Sequence, residues 1–353
     1  MSFFVSNIAR VNGVAKASIS KIDGVAKNDI YKIDGIGSNF IQDTLSIHVG
    51  YSVRQLSASA VNCMDVRNKN GIVRTIGFVD GYVDVAGIQN HCGTGYGSVV
   101  RFYDQSPNGY HLEPTQWQSA PLIVDTDGNL ITRNGKAALQ FVLLPGEVSI
   151  FTSRFLQVED QGGGTYAESI ESEWGITMFV ASTHADSTNF QVIASQWQGN
   201  SPSDGVAQTN DPNNLHLYTL SSNTFRSVYG MFDSPNYDYS QVQSDNNITS
   251  YNDYLVVSTV DTGTATSNSS VTMAVNSISP QYTGSTPGTS FLITQDDTYP
   301  FFLGKGFSQG LAVYYQGYMN EFIVYSSDSH QSIIPSQITD VLTQEANDFY
   351  GVF

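Results

Sequence analysis

The chain has 353 residues, 40% of them hydrophobic and only 13% charged, with 20 Tyr and 19 Phe; this supports a sizeable core and suits many strands joined by tight turns. A formal net charge of −17 argues against nucleic-acid binding by the body of the protein, because neutralising phosphates needs a basic footprint. Two cysteines make no disulfide framework, two cysteines and six scattered histidines suggest no metal site, and no apolar run approaches the roughly 20 residues of a membrane span. We therefore expect no cofactor, no metal and no membrane partner. The opening Met-Ser-Phe-Phe-Val-Ser-Asn has neither the basic start nor the long apolar stretch of a signal peptide.

Residues 1–40 contain a repeat with a period of eleven. Ile8 to Ser18, Ile19 to Asp29 and Ile30 to Gly37 share the pattern Ile-x-Lys/Arg-Ile/Val-Asn/Asp-Gly-Val/Ile. Asn12-Gly13, Asp23-Gly24 and Asp34-Gly35 are turn signals because Gly, Asn and Asp tolerate positive φ, and β-branched residues flank each pair. An eleven-residue period also suits a right-handed helical supercoil, but a Gly inside every unit opposes helix. The segment holds five basic and three acidic residues, about +2, which leaves about −19 for the rest. Three short strand-turn units bury little by themselves. We expect an arm (1–40) that docks through Ile8, Val11, Ile19, Ile22, Ile30, Ile33, Lys21 and Lys32, or else an extra strand layer on the body (41–353).

In the body, Tyr51–Ala60 has the spacing of a short helix, and Val61–Arg67 alternates as a strand. Asp84 is placed to cap a helix through Val85, Ile88 and His91 that stops at Gly93. Ser98–Asp104 reads as a strand. Further strands are expected at Trp174–Ser182, Phe190–Trp197, Leu215–Leu220, Thr224–Phe232, Tyr254–Val260, Val271–Val275, Pro300–Leu303 and Leu311–Ser326. Strand after strand without long helices means a sandwich or barrel. In Pro335–Tyr350 the residues Ile338, Val341, Leu342, Ala346 and Phe349 recur at helical spacing, which predicts one amphipathic helix. The stretch Asp125-Thr-Asp-Gly-Asn129 looks like the start of a calcium loop but lacks the later bidentate Glu, so a hairpin turn is the better reading.

Arg54-Gln-Leu56, Ile76-Gly-Phe78, Val99 to His111 (with Tyr103-Asp-Gln-Ser106), Pro121 to Val124 and Asn134 to Leu139 resemble the catalytic-domain family of fungal α-L-arabinofuranosidase B. In that family the central phrase is Tyr-Asp-Gln-Ser-Gly-Asn-Gly-Asn-His; Pro107 and Tyr110 are the departures here. Tyr315 to Tyr325 is similar to the closing hairpin of concanavalin A-like sandwiches. The resemblance implies a mostly β, concanavalin-like jelly-roll sandwich over about residues 45–353, with the repeated arm before it and the amphipathic helix at its end. It also implies a retaining mechanism with two carboxylates roughly 5–5.5 Å apart. The stretches comparable to the family's nucleophile and acid are Val192–Gln198 and Leu303–Ser308, and neither contains a carboxylate. We therefore expect no catalytic residues and no enzyme.

A lectin-like sandwich implies sugar binding by aromatic platforms and short polar side chains. Trp117, in a loop between Gln116 and Gln118, and the loop tyrosines Tyr237 and Tyr239 are the candidates; Trp174 and Trp197 fall within strands and are expected in the core. Asp104 and Gln105 are expected to hold the fold. The Ile-x-Lys-Ile-Asn/Asp-Gly repeat resembles N-terminal segments of tailed-bacteriophage structural proteins. Together these imply a virion protein assembled in the host cytoplasm. Its arm would dock on other virion proteins, its sandwich would meet a host surface glycan, and it would be a homo-oligomer such as a trimer. A tail or baseplate appendage is the first expectation; a capsid decoration or head-fibre protein, and an arabinofuranosidase-like glycoside hydrolase, are the alternatives.

Overall fold

A computed structural model describes residues 46–142, 154–158, 174–183, 188–197, 213–233, 236–245, 247–261, 270–284, 301–308, 311–326 and 336–353, with 10–11, 14–15, 21–22 and 25–26 of the arm. Every pairing among the described strands is antiparallel. One sheet runs, in spatial order, Tyr282–Thr283, Ser270–Val275, Asp253–Asp261, Trp174–Thr183, Gly317–Ser326 and Ser46–Ser52. The other runs from Asn236–Gln243 through Thr224–Asp233, Asn213–Ser221, Gln191–Trp197, Phe301–Leu303, Leu156–Val158, Leu112–Glu113, Gly97–Phe102 and Asn62–Asn68 to Val73–Val79. Leu122–Val124 and Leu139–Gln140 join them, pairing with Gly97–Phe102 on one side and Gly317–Ser326 on the other. The whole curls nearly into a barrel, the mostly β sandwich that strand alternation predicts.

The core is a file of aromatic rings contributed by both sheets. Phe102 meets Tyr51, Tyr51 stacks on Phe301 at 6.5 Å, and Phe301 meets Phe322 at 5.3 Å. Phe322 stacks on Phe179, which meets Phe225, which meets Tyr254. All seven are buried. Such offset and edge contacts add roughly 0.5–1.5 kcal/mol per pair to the burial itself.

The phrase Tyr103-Asp-Gln-Ser106 works as a latch between strands. Asp104 Oδ1 accepts from the amides of Gly50 (2.8 Å) and Ser106 (2.9 Å); its Oδ2 accepts from the Ser106 hydroxyl (2.6 Å) and the Tyr110 amide (2.9 Å). Gln105 accepts from the Leu56 amide and donates to the carbonyls of Ser52 and Arg54. Both side chains are buried, and leaving such groups unmade would cost about 1–3 kcal/mol each. Arg54 itself grips the fully buried Glu321 through Nε (2.6 Å) and Nη2 (2.9 Å). Glu321 also accepts from Ser52 and Tyr350, and Glu345 approaches Arg54 at 3.2 Å. This centre ties the last helix to the sheet, and burial holds the Tyr350 hydroxyl well above its usual pKa.

Two of the three expected helices form. Val85–Cys92 starts under Asp84, whose Oδ1 accepts from the Gly87 amide at 2.8 Å, and stops at Gly93 with φ +58°. Ser336–Tyr350 buries Leu342, Ala346 and Tyr350. Tyr51–Ala60 is not a helix: Tyr51 and Ser52 end the strand Ser46–Ser52, because Tyr51 and Val53 are drawn into the core and Gln105 takes up the backbone polar groups that follow. The run Leu311–Ser326 is two strands, Leu311–Tyr314 and Gly317–Ser326. Between them the Tyr315 amide donates to Gly304 and the Gln316 amide to the Gln191 side chain. Cys63 and Cys92 are buried free thiols, and burial raises both pKa values, that of Cys92 to about 11.

In the arm, Arg10–Val11 pairs with Val14–Ala15 and Lys21–Ile22 with Val25–Ala26. These are the ribbons expected around the first two Asn/Asp-Gly pairs. Val11, Ile22 and Lys21 lie in them; Ile8, Ile19, Ile30, Ile33 and Lys32 lie outside the described residues.

Candidate functional site

Outside the main core, Leu122, Ile131 and Ala138 form a second small apolar cluster, covered by three half-buried aromatics: Tyr96, Trp117 and Tyr318. The joining segment creates it, since Leu122–Val124 carries apolar residues on both faces and Ala138 and Leu139 are divided between this cluster and the main core. Trp117 stands on a single 3-10 turn, Trp117–Ser119, stabilised by the Ser119 hydroxyl donating to the Gln116 carbonyl. The Arg67 guanidinium lies 4.1 Å above the indole. On the far side, Arg133 lies 5.5 Å from the Tyr318 ring and pairs with Asp253 at 2.8 Å. The face thus combines aromatic surface, which suits the C–H side of a sugar ring, with guanidinium donors and a carboxylate acceptor that suit hydroxyls.

A second aromatic–cation group adjoins it. The Phe155 amide donates to the Ser119 carbonyl, which places Phe155 beside the Trp117 turn. The Lys305 ammonium lies 4.2 Å from the Phe155 ring and 4.7 Å from Phe302, and burial lowers its pKa. Lys305 is set by Gly304, whose φ of +84° and contact with the Phe141 ring admit no side chain. The two stretches singled out for the missing carboxylates are neighbours here: Ala194 pairs with Leu303, and the Ser195 hydroxyl donates to the Lys305 carbonyl at 2.8 Å.

Of the predicted ligand residues, Trp117 therefore belongs to an aromatic face, with one side of its ring covered by Arg67. Tyr237 and Tyr239 are not in a loop. They lie in the strand Asn236–Gln243, opposite Phe232 and Gly230, because the alternation of Tyr237, Tyr239 and Gln241 continues the hairpin that begins at Thr224–Asp233. Trp174 and Trp197 lie in strands. The Asp125 stretch is a turn: Asp125 Oδ1 accepts from the amides of Asp127 and Asn129. Arg67, Arg133, Tyr318 and Lys305 were not visible as site residues, since their partners are distant in sequence and no local pattern marks them.

No family model matches the chain, and no curated protein matches it. Solved structures do. A GH54 α-L-arabinofuranosidase variant soaked with 4-nitrophenyl α-L-arabinofuranoside is 15% identical, with a TM-score of 0.51; the match covers 86% of this chain and 63% of that one. An arabinofuranosidase complexed with arabinofuranosyl-α-1,2-xylobiose is 16% identical, with a TM-score of 0.50 and coverage of 86% and 64%. The chain thus spans less than two thirds of those proteins and shares their fold. The enzymatically active domain of bacteriophage CBA120 tailspike protein 2 matches over 58% of this chain, with 10% identity and a TM-score of 0.36. The neighbours are mostly β glycoside hydrolase and carbohydrate-binding domains.

The expectation of a non-enzymatic protein is corrected by this finding: the proteins that match 86% of the chain are glycoside hydrolases. The sequence argument rested on two short stretches, Val192–Gln198 and Leu303–Ser308. Asp204 and Asp211 follow the first of them, outside the described residues.

Proposed function

We propose that the chain is a glycan-degrading module, a glycoside hydrolase of the arabinofuranosidase type, carried on a tailed-bacteriophage particle by its N-terminal arm. The observation that carries the enzymatic reading is the likeness to arabinofuranosidases over 86% of the chain. The aromatic–arginine face around Trp117 supports a sugar polymer as the ligand, because stacking and hydroxyl recognition meet there. The particle reading is supported by the three Asn/Asp-Gly repeats and by their basic balance against an acidic body. In this reading residues 1–40 dock on other virion proteins and 41–353 meet a host surface glycan as a homo-oligomer, where many weak contacts add by avidity.

The test is direct. The purified full chain should release 4-nitrophenol from 4-nitrophenyl α-L-arabinofuranoside, or arabinose from an arabinose-containing polysaccharide. Binding of such a polysaccharide with no release of sugar would overturn the hydrolase reading. For the arm, deletion of residues 1–37 should leave the body folded by circular dichroism and abolish incorporation into particles; assembly of the truncated chain would refute the docking role.

A further inference from the structure

At one end of the first sheet the turn before Asp253–Asp261 carries an aromatic residue in a strained backbone conformation. Tyr251 has φ +67°, the left-handed region that bulky side chains avoid. The residue is 57% exposed, so burial in the core does not offset that strain.

The backbone beneath the ring is held from two sides. Arg133 Nη2 donates to the Tyr251 carbonyl at 2.6 Å, while its Nε donates to Asp253 Oδ1 at 2.8 Å and its guanidinium lies over Tyr318. On the other side the Thr249 amide donates to the Tyr254 hydroxyl at 2.7 Å, and Asn252 donates to the Thr249 hydroxyl at 2.6 Å. Tyr254 belongs to the aromatic file of the core. An exposed residue on a turn whose backbone is held by an ion-paired arginine and by a core tyrosine is a pre-organised contact: the position of its backbone is set before any ligand arrives.

We propose that Tyr251 is the stacking platform of an oligosaccharide subsite, with Asp253 and Arg133 as the hydrogen-bonding partners of the sugar hydroxyls. The ligand is a neutral sugar ring. Arg133 and Asp253 neutralise one another, so the site offers no net charge to a uronate. Asp253 keeps its second carboxylate oxygen to accept from a hydroxyl, and the side chains of Arg133 and Asp253 are 23% and 15% exposed. Tyr318 links this subsite to the face around Trp117, since both rings pack on the same small cluster. The inference rests on the glycan reading above and adds the residue at which one ring of the chain is held.

The experiment uses calorimetric titration of the full-length protein with arabinotriose, beside thermal unfolding. Tyr251→Gly removes the ring and accepts the positive φ without strain. It should raise the melting temperature by about 1–2 °C and weaken arabinotriose binding at least about tenfold. Tyr251→Trp should keep the affinity within about threefold of the parent. Unchanged binding by Tyr251→Gly would overturn the subsite, as would a lowered melting temperature in that variant, which would make the ring a packing element. Failure of the parent protein to bind arabinotriose would overturn it too. Tyr251-dependent binding without any release of arabinose would support the subsite and remove only the hydrolase reading.

Discussion

The turn Tyr103–Tyr110 and the turn Ile248–Asp253 are both short, polar and placed at the margin of the sandwich, yet they spend their polar groups in opposite directions. In the first, Asp104 accepts four hydrogen bonds and Gln105 makes three, all to neighbouring protein groups. The two buried polar side chains of this turn are thus committed to the fold. In the second, the bonds from Arg133 and Tyr254 fix the backbone and leave the Tyr251 ring outside. Two arginine–carboxylate pairs among the described residues differ in the same way. Arg54–Glu321 is sealed under the last helix, whereas Arg133–Asp253 lies at a rim. A family-like phrase can therefore be wholly structural, and a turn without any motif can present the ligand contact.

The sharpest way to break this comparison is to disturb the sealed pair. Glu321→Gln leaves Arg54 with one half-exposed partner, Glu345, and should cost about 3–5 kcal/mol in urea unfolding. The folded fraction should bind arabinotriose as before; a specific loss of binding would make the inner set functional. Trp117→Ala should act the other way. The indole is only half-buried, so the stability loss should be about 1–2 kcal/mol, while retention on an immobilised arabinose-containing polysaccharide should fall at least about tenfold.

The smallest effect concerns pH. Burial lowers the pKa of His48, which lies beside Tyr110 at the latch, and the nearby Asp104 charge opposes that shift in part. Below the ordinary value of about 6.5 the unfolded chain takes up a proton that the folded imidazole resists. The His48 contribution should therefore be intact above that pH and lost as pH falls toward the folded value. His48→Gln should flatten this part of the stability profile below about pH 6.5; an unchanged slope would assign the acid sensitivity to other groups.

Much of the architecture could be read from local pattern. Asp84 and Gly93 bracket their helix because a carboxylate cap and a positive-φ stop are local devices, and the helical spacing of Leu342 and Ala346 places both in the core. Tyr51 and Ser52 fall at the start of the expected helix Tyr51–Ala60 but end the strand Ser46–Ser52, because the pairing of that strand with Gly317–Ser326 is decided by distant partners. The site was less legible for the same reason. Trp117 stands out as a lone indole between two glutamines, but the Arg67 above it is fifty positions earlier and Tyr318 two hundred later. Tyr251 carries no sequence mark at all, since its role depends on a backbone angle set by Arg133.

The place of Gly317–Ser326 in the first sheet has a consequence for biogenesis. This strand lies between Trp174–Thr183 and Ser46–Ser52, and Ser52 bonds to Glu321 across 269 residues. A ribosome must therefore deliver most of the polypeptide before the first sheet can close. Until then Ser46–Ser52 and Trp174–Thr183 each wait with an unpaired edge, open to annealing with another nascent copy. High contact order of this kind slows folding, so yield in a producing cell should depend on translation rate and chaperone supply more than on the stability of the finished sandwich.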